Sequence, residues 1–130
     1  MKRKLLIIIA MLLSMSSFSQ ARLGSSATEI KNEFWESYYE LDSGYDSDGD
    51  YYIKIEVEKA SVIYFFDSDK ICNRTFILPD NQGALNYFVE LYNKQYVIVS
   101  STEWKMYSSG GIASIKLIFA DDGGYYFLWQ

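Results

Sequence analysis

The strongest constraint on the fold is a change of hydrophobic period between residues 79 and 107. Pro79 ends the element before it, and Asp80 can cap a helix by accepting backbone N–H bonds. Apolar residues then recur at helical spacing at Ala84, Leu85, Phe88, Val89 and Tyr92. From residue 96 the chain turns to β-branched and aromatic residues, which favour strands. We therefore expect an amphipathic helix that covers a sheet, followed by a long strand over residues 96–107 in the middle of that sheet.

A second helix is predicted near the start of the chain. Ser26 and Glu29 have the spacing of a capping box, in which each side chain satisfies a backbone donor of the other residue. Apolar residues follow at helical spacing, which predicts a helix over residues 27–40. The next residues, 42–50, are mainly Asp, Ser and Gly, and they predict a polar loop.

Alternation of apolar and polar residues predicts a half-buried strand over residues 51–58. One side would carry Tyr51, Ile53, Ile55 and Val57, and the other would carry Tyr52, Lys54, Glu56 and Glu58. Further strands are predicted at residues 61–67, 71–78, 96–107, 112–120 and 125–130, with a bulge in the long strand near Ser100. The short turns between neighbouring strands favour antiparallel pairing.

The predicted fold class is α+β, with an antiparallel sheet of about six strands, two helices on one face and the order α-βββ-α-βββ. An offset of 54 residues favours an internal duplication, since it aligns Asn32, Phe34, Glu36 and Tyr38 with Asn86, Phe88, Glu90 and Tyr92, and Ile63, Phe65 and Asp67 with Leu117, Phe119 and Asp121. The alternative is that two halves with similar structural needs use similar residues. In its layout, this tandem helix-plus-meander arrangement resembles secreted inhibitors such as the β-lactamase-inhibitor protein.

The first 21 residues have the three parts of a secretory signal peptide. Three basic residues at positions 2–4 precede an apolar run at 5–13 and a small, polar segment at 14–21. The apolar run is shorter than the roughly 20 residues that span a bilayer, although a buried helix or an anchor is the alternative interpretation. Cleavage fits after Ser19 or after Ala21. We expect one exported α+β domain over residues 22–130, periplasmic or extracellular and free of the membrane after cleavage.

Charge restricts the partners. Loss of Lys2, Arg3 and Lys4 takes the formal net charge from −5 to −8. An acidic domain does not follow a phosphate backbone, which argues against nucleic acid, and it gains nothing from anionic lipid. The same charge favours encounter with a basic protein. The sequence leaves the oligomeric state open.

Missing residue types exclude most catalytic chemistry. The chain has no histidine, so catalytic Ser-His and Cys-His pairs are excluded and the commonest metal ligand is lacking. Its one cysteine, Cys72, cannot form an intrachain disulfide, and we expect it to be buried, with an intermolecular bridge as the alternative. We predict no catalytic, cofactor-binding or metal-binding residues. Two alternatives draw on Asp46, Asp48 and Asp50: a calcium loop, and a pair of carboxylates acting on glycans.

The sheet face away from the helices is the candidate binding surface. Tyrosines among mixed charges are typical of protein interfaces, and this face would carry Tyr52, Lys54, Glu56, Glu103, Lys105, Tyr107, Lys116 and Tyr126. The alternative is a solvated face with cross-strand ion pairs. Trp104 is predicted in the core, whereas Trp35 and Trp129 are ambiguous.

The predicted function is a secreted, non-catalytic binding protein, in its sharper form an inhibitor or immunity-type protein for a basic enzyme. A calcium-dependent adhesive or structural module is the first alternative, and a carboxylate-based glycan hydrolase is the second.

Overall fold

The fold is known from a computed structural model, which describes residues 22–35 and 39–130. The predicted signal peptide, residues 1–21, lies outside the described residues. Within them the elements follow in the order α1 (Ala27–Phe34), β1 (Leu41–Tyr45), β2 (Tyr51–Val57), β3 (Ala60–Phe66), β4 (Cys72–Pro79), α2 (Gln82–Gln95), β5 (Val97–Ser100), β6 (Glu103–Ser108), β7 (Gly111–Phe119) and β8 (Tyr125–Trp129).

All of these strands form one antiparallel sheet in the order β1-β2-β3-β4-β8-β7-β6-β5. Each half of the chain is one helix followed by a four-stranded meander. The last strands of the two halves meet at the centre, where Thr75 pairs with Trp129 and Ile77 pairs with Phe127. The first strands of the two halves, β1 and β5, form the two edges. The prediction of an α+β fold with two helices and an antiparallel sheet is confirmed.

The buried residues of both helices pack into one hydrophobic cluster with one face of the sheet. Ile30 of α1 and Phe88 and Tyr92 of α2 share this cluster with Ile53 and Phe127 of the strands. The ring centroids of Phe88 and Tyr92 lie 6.0 Å and 5.0 Å from that of Phe127. Strand residues alternate sides, so this packing defines a helix face and an open face.

The sheet has eight strands in the described residues, so the prediction of about six was wrong. Strand β1 is one of the two strands that were missed. It takes up the first part of the predicted polar loop and pairs with β2 from Leu41↔Ile55 to Tyr45↔Tyr51. Asp and Gly are depleted in strands, so this segment carries no local strand pattern. Packing of Leu41 against the core and pairing with β2 override the local preference. Helix α1 ends at Phe34 rather than at residue 40, and Glu36 and Tyr38 lie outside the described residues.

The other missed strand comes from the predicted long strand, which is a hairpin. Residues 101–102 turn between β5 and β6, and the Ser100 hydroxyl accepts the N–H of Thr102 at 3.2 Å. The predicted bulge has a counterpart in a register shift between Ile98 and Ser100. The expectation that this segment occupies the middle of the sheet was wrong, because β5 is an edge strand.

The predicted N-cap is correct for α1 and lies one residue too early for α2. The capping box of Ser26 and Glu29 is present in both directions. In α2 the N-cap is Asn81 instead of Asp80, and its side-chain oxygen accepts the N–H of Ala84 at 2.9 Å. Either residue type caps helices, so the sequence alone could not choose between two adjacent candidates.

The 54-residue offset does not match equivalent residues in the strands. Ile63 pairs with Lys54 on the open face, whereas Leu117 pairs with buried Phe127 on the helix face. Side chains alternate with a period of 2, and the core positions are even-numbered in β3 but odd-numbered in β7. An even offset therefore exchanges the two faces between these strands.

Trp104 lies in the core, as predicted. Its side chain is fully buried, at 0% exposure, and its indole N–H donates to the Asn93 side-chain oxygen at 2.8 Å. Trp129 is also buried, while Trp35 is 83% exposed. The two tryptophans that the sequence left ambiguous thus lie in opposite environments.

Trp104→Ala should lower the free energy of unfolding by about 3–5 kcal/mol, because it opens a cavity and leaves Asn93 without its donor. Trp35→Ala is the matched control and should change the free energy of unfolding by no more than about 0.5 kcal/mol. Urea titrations followed by circular dichroism measure both values. Equal losses in the two variants would contradict this packing.

Candidate functional site

All eight residues predicted for partner binding lie on the open face. In β2, Tyr52, Lys54 and Glu56 alternate with buried Ile53 and Ile55. The remaining five are placed by their strand pairs, which are Glu103↔Lys116, Lys105↔Ser114, Tyr107↔Ile112 and Ile118↔Tyr126. Strand alternation was enough to predict this shared face, because each of these strands has one clearly buried side.

The centre of the open face carries a row of aromatic rings that crosses four neighbouring strands. This aromatic row is made of Tyr52, Phe65, Phe76 and Tyr126, and successive ring centroids are 6.1, 5.4 and 5.5 Å apart. The Phe65–Phe76 pair is edge-to-face at 79°, a geometry that aromatic pairs prefer, and the two outer pairs are tilted at 50° and 55°. Each ring therefore shields its neighbours while its outer edge stays accessible.

The sequence analysis found only the two ends of this row. Phe65 and Phe76 were missed, although a signal was present: in β3, Ile63 and Phe65 stand between buried Val62, Tyr64 and Phe66. A strand that is apolar at both odd and even positions is typical of burial on both faces. Ile63, Leu78, Ile118 and Leu128 extend the apolar surface around the row.

Charged side chains surround the aromatic row, and several form ion pairs. Lys54 lies 3.5 Å from Glu56, and Lys116 lies 3.9 Å from Glu103. Arg74 pairs with Asp50 at 2.8 Å and stacks over Phe65, with 4.6 Å between the guanidinium carbon and the ring centroid. These contacts match in part the predicted alternative of cross-strand ion pairs. Exposed ion pairs of this kind contribute little to stability. A partner could displace them at low cost.

The open face itself is close to neutral, since Lys54, Arg74, Lys105 and Lys116 offset its carboxylates. The acidic surplus lies mainly in turns. Asp46 accepts the backbone N–H groups of Asp48 and Asp50 at 3.0 and 2.9 Å, and Asp67 does the same for Asp69 and Ile71 at 2.9 and 3.0 Å. These carboxylates stabilise tight turns, which accounts for their spacing without a metal.

A cavity of about 550 Å³ adjoins the acidic loop and is lined by Tyr45, Asp50, Asp67, Lys70 and Arg74, among others. Asp50 is held by Arg74 and Asp67 is held by its own turn, as described above. Lys70 lies over the ring of Tyr51, with its ammonium nitrogen 3.7 Å from the centroid. In residues 22–35 and 39–130, no group of three or more Cys, Asp or Glu side chains is arranged to hold a metal ion.

Cys72 is buried, as predicted, with 2% exposure. Burial raises the pKa of its thiol, and the sulfur lies 3.4 Å from the Thr75 hydroxyl oxygen. A buried thiol with a raised pKa is a poor nucleophile, since the thiolate is the reactive form. The geometry gives no support to an intermolecular disulfide at this position.

Calcium should leave the thermal stability unchanged. A ligand that binds only the folded state raises the melting temperature. Of the candidate ligands, Asp46 already accepts two backbone N–H groups and Asp50 already pairs with Arg74. Melting curves with 5 mM CaCl₂ and with EDTA should therefore coincide within about 1 °C. A clear rise with calcium would favour the calcium-dependent module instead.

Cys72 should react with a disulfide reagent at least about tenfold more slowly in the native protein than in urea, since burial both shields the thiol and lowers the thiolate fraction. The native rate should rise with pH over a higher range than the unfolded rate, because the folded pKa is the higher of the two. Absorbance measurements between pH 7 and 9.5 test this, with Cys72→Ser as the blank. Equal native and unfolded rates would show that the thiol is exposed.

Comparison with protein-family models, with curated proteins and with solved structures gave no match. In the part of the chain that is described, neither helix has the length and apolar character needed to cross a bilayer.

Proposed function

We propose that this protein is an exported, non-catalytic binding protein that docks another protein on its open face. The observation that carries the proposal is the aromatic row, which no described helix or strand covers. An apolar centre with a polar rim is the usual anatomy of a protein interface. Rigid rings suit this use because they bury much area and lose little conformational freedom on binding.

The extent of the face fits a folded partner better than a small ligand. The predicted binding residues run from β2 to β6, which are separated by five interstrand steps in the sheet order. At about 4.8 Å for each step, the surface is about 24 Å wide. The aromatic row crosses four strands, so a small molecule would leave most of its apolar area in contact with water.

The partner in the sharper form of the proposal is a basic protein, such as an enzyme that this chain inhibits or neutralises. The face is nearly neutral, so the charge of −8 expected after signal cleavage acts mainly through the acidic turns. Charges around an interface accelerate encounter over about one Debye length, roughly 10 Å at 0.1 M salt, without contributing close contacts. Salt should therefore slow association more than it speeds dissociation.

The proposed origin is an internal duplication. The matching order of one helix and four strands in each half supports it, and the central pairing of β4 with β8 is what two joined copies of such a unit would form. The proposed location is the periplasm or the extracellular space, on the strength of the tripartite pattern in residues 1–21.

Affinity capture from exported fractions tests the proposed function with three baits. The native protein should retain a basic partner, and a Tyr52→Ser, Tyr126→Ser variant should bind it at least about tenfold more weakly, because both ends of the aromatic row are lost. Tyr87→Ser is the matched control: Tyr87 is 47% exposed on α2, on the other side of the molecule, and its loss should change the Kd less than about twofold.

Binding kinetics of the captured partner are then measured at about 0.05 and 0.5 M NaCl. Association should be slower at the higher salt concentration. A partner that binds all three baits equally, or none that binds the native bait, would refute docking on the open face. A salt-independent association rate would refute the basic partner alone.

A further inference from the structure

Strand β5 is an edge of the sheet, and its outer side is open. In the described sheet it pairs only with β6, so the backbone N–H and C=O groups on its other side have no strand neighbour there. All four of its residues are exposed, and the side chains of Val97, Ile98 and Val99 are each 50–56% exposed. Val97 lies opposite Lys105 on the open face, whereas Ile98 lies opposite Trp104 on the helix face. Apolar side chains on both faces are typical of an inner strand rather than of an edge.

The sequence around β5 lacks the residues that usually keep edge strands from pairing. Residues 95–102 contain no charged residue and no proline, which are the common protection of an edge. The opposite edge, β1, carries Asp42 and Gly44 within its five residues. A register shift next to Val99 and a length of four residues do limit the regular pairing of β5. The edge is therefore open to a short β contact.

The residues of β5 fit a second copy of the same strand. Ile98 has a valine on each side, so the segment has the same residues in both directions. Two antiparallel copies related by a two-fold axis at Ile98 place Ile98 opposite Ile98, and Val97 of each copy opposite Val99 of the other. Opposed β-branched apolar residues stabilise a sheet, and a two-fold contact requires this self-complementarity. A charged foreign strand would find no opposite charge in this edge.

We propose that β5 mediates a weak two-fold dimer in which the sheets of two copies join edge to edge. The axis of an antiparallel edge contact is perpendicular to the sheet, so the sixteen strands, twice the eight described, form one sheet with both open faces on the same side. Four paired residues span only about 14 Å and bury less than the roughly 1,200 Å² of a stable interface. The Kd of the dimer therefore lies at about 10–100 µM.

The net charge of the chain gives this dimer a characteristic salt dependence. Each copy carries a formal net charge of −5, or −8 after the expected signal cleavage, so two copies repel each other although the contact itself is uncharged. Salt screens this repulsion, and the dimer should become tighter as the salt concentration rises. Association with a basic partner should respond to salt in the opposite direction.

Sedimentation velocity of the purified protein between about 5 and 500 µM tests the dimer. The weight-average sedimentation coefficient should rise with concentration from the value of a monomer towards that of a dimer. The Kd of the dimer should fall at least about threefold when NaCl is raised from about 0.05 to 0.5 M.

Ile98→Lys should weaken the dimer at least about tenfold, because it places two ammonium groups opposite each other at the axis. Ile112→Lys is the matched control: it makes the same change of charge at a residue that is 61% exposed in β7, two strands away from β5, and should leave the Kd within about twofold. Under mild oxidation Ile98→Cys should form a disulfide-linked dimer and Ile112→Cys should not, since only the Ile98 positions approach each other. Melting curves confirm that each variant is folded.

The proposal is overturned if the protein stays monomeric up to about 500 µM in 0.5 M NaCl, or if Ile98→Lys leaves the dimer unchanged. Equal weakening by Ile112→Lys would also overturn it, because the copies would then meet on the open face. A Tyr52→Ser, Tyr126→Ser variant should dimerise like the native protein, so that failure of docking on the open face and failure of the dimer are observed separately.

Discussion

The packing of Tyr92 against the second half of the sheet is the contact on which the architecture depends. Its ring lies 5.0 Å from Phe127, 5.6 Å from Trp129 and 5.7 Å from Trp104, measured between centroids, so one helix residue joins β6 and β8. Burial also raises the pKa of the Tyr92 phenol, which therefore stays neutral. Because α1 packs into the same cluster, the hydrophobic core lies on one face of the sheet, and the other face is left without a helix.

Because the core lies on one side of the sheet, the apolar residues on the other side of the central strands remain on the open face. The central strands β3, β4 and β8 carry apolar residues on both sides, and those on the open side shield themselves by packing ring against ring. Charged side chains lie around the margin of this surface, and most of the excess acidic residues lie in turns. There the carboxylates of Asp46 and Asp67 accept backbone N–H groups. In the proposed complex with a basic partner, such a nearly neutral apolar centre would bring no uncompensated charge into the contact.

Features that depend on residues close together in the sequence could be predicted, and features that depend on distant contacts could not. Capping and strand alternation depend on residues a few positions apart, so the capping box at Ser26 and the shared face of Tyr52 and Lys54 could be predicted. The strand β1 could not, because Asp42 and Gly44 are poor strand formers and only pairing with β2 holds them extended.

The sequence by itself determined that two segments are helical, which residues of most strands share a side, and that the chain offers no histidine. Only the tertiary structure decided the strand order, which puts β5 at an edge and joins β4 to β8 at the centre. That order brings Tyr52, Phe65, Phe76 and Tyr126 into one row. The physical reason is that each strand's own sequence shows its alternation, with a period of two residues. The backbone hydrogen bonds that join strands are the same for any sequence. The choice of neighbouring strand therefore depends on how the side chains of the whole sheet pack together.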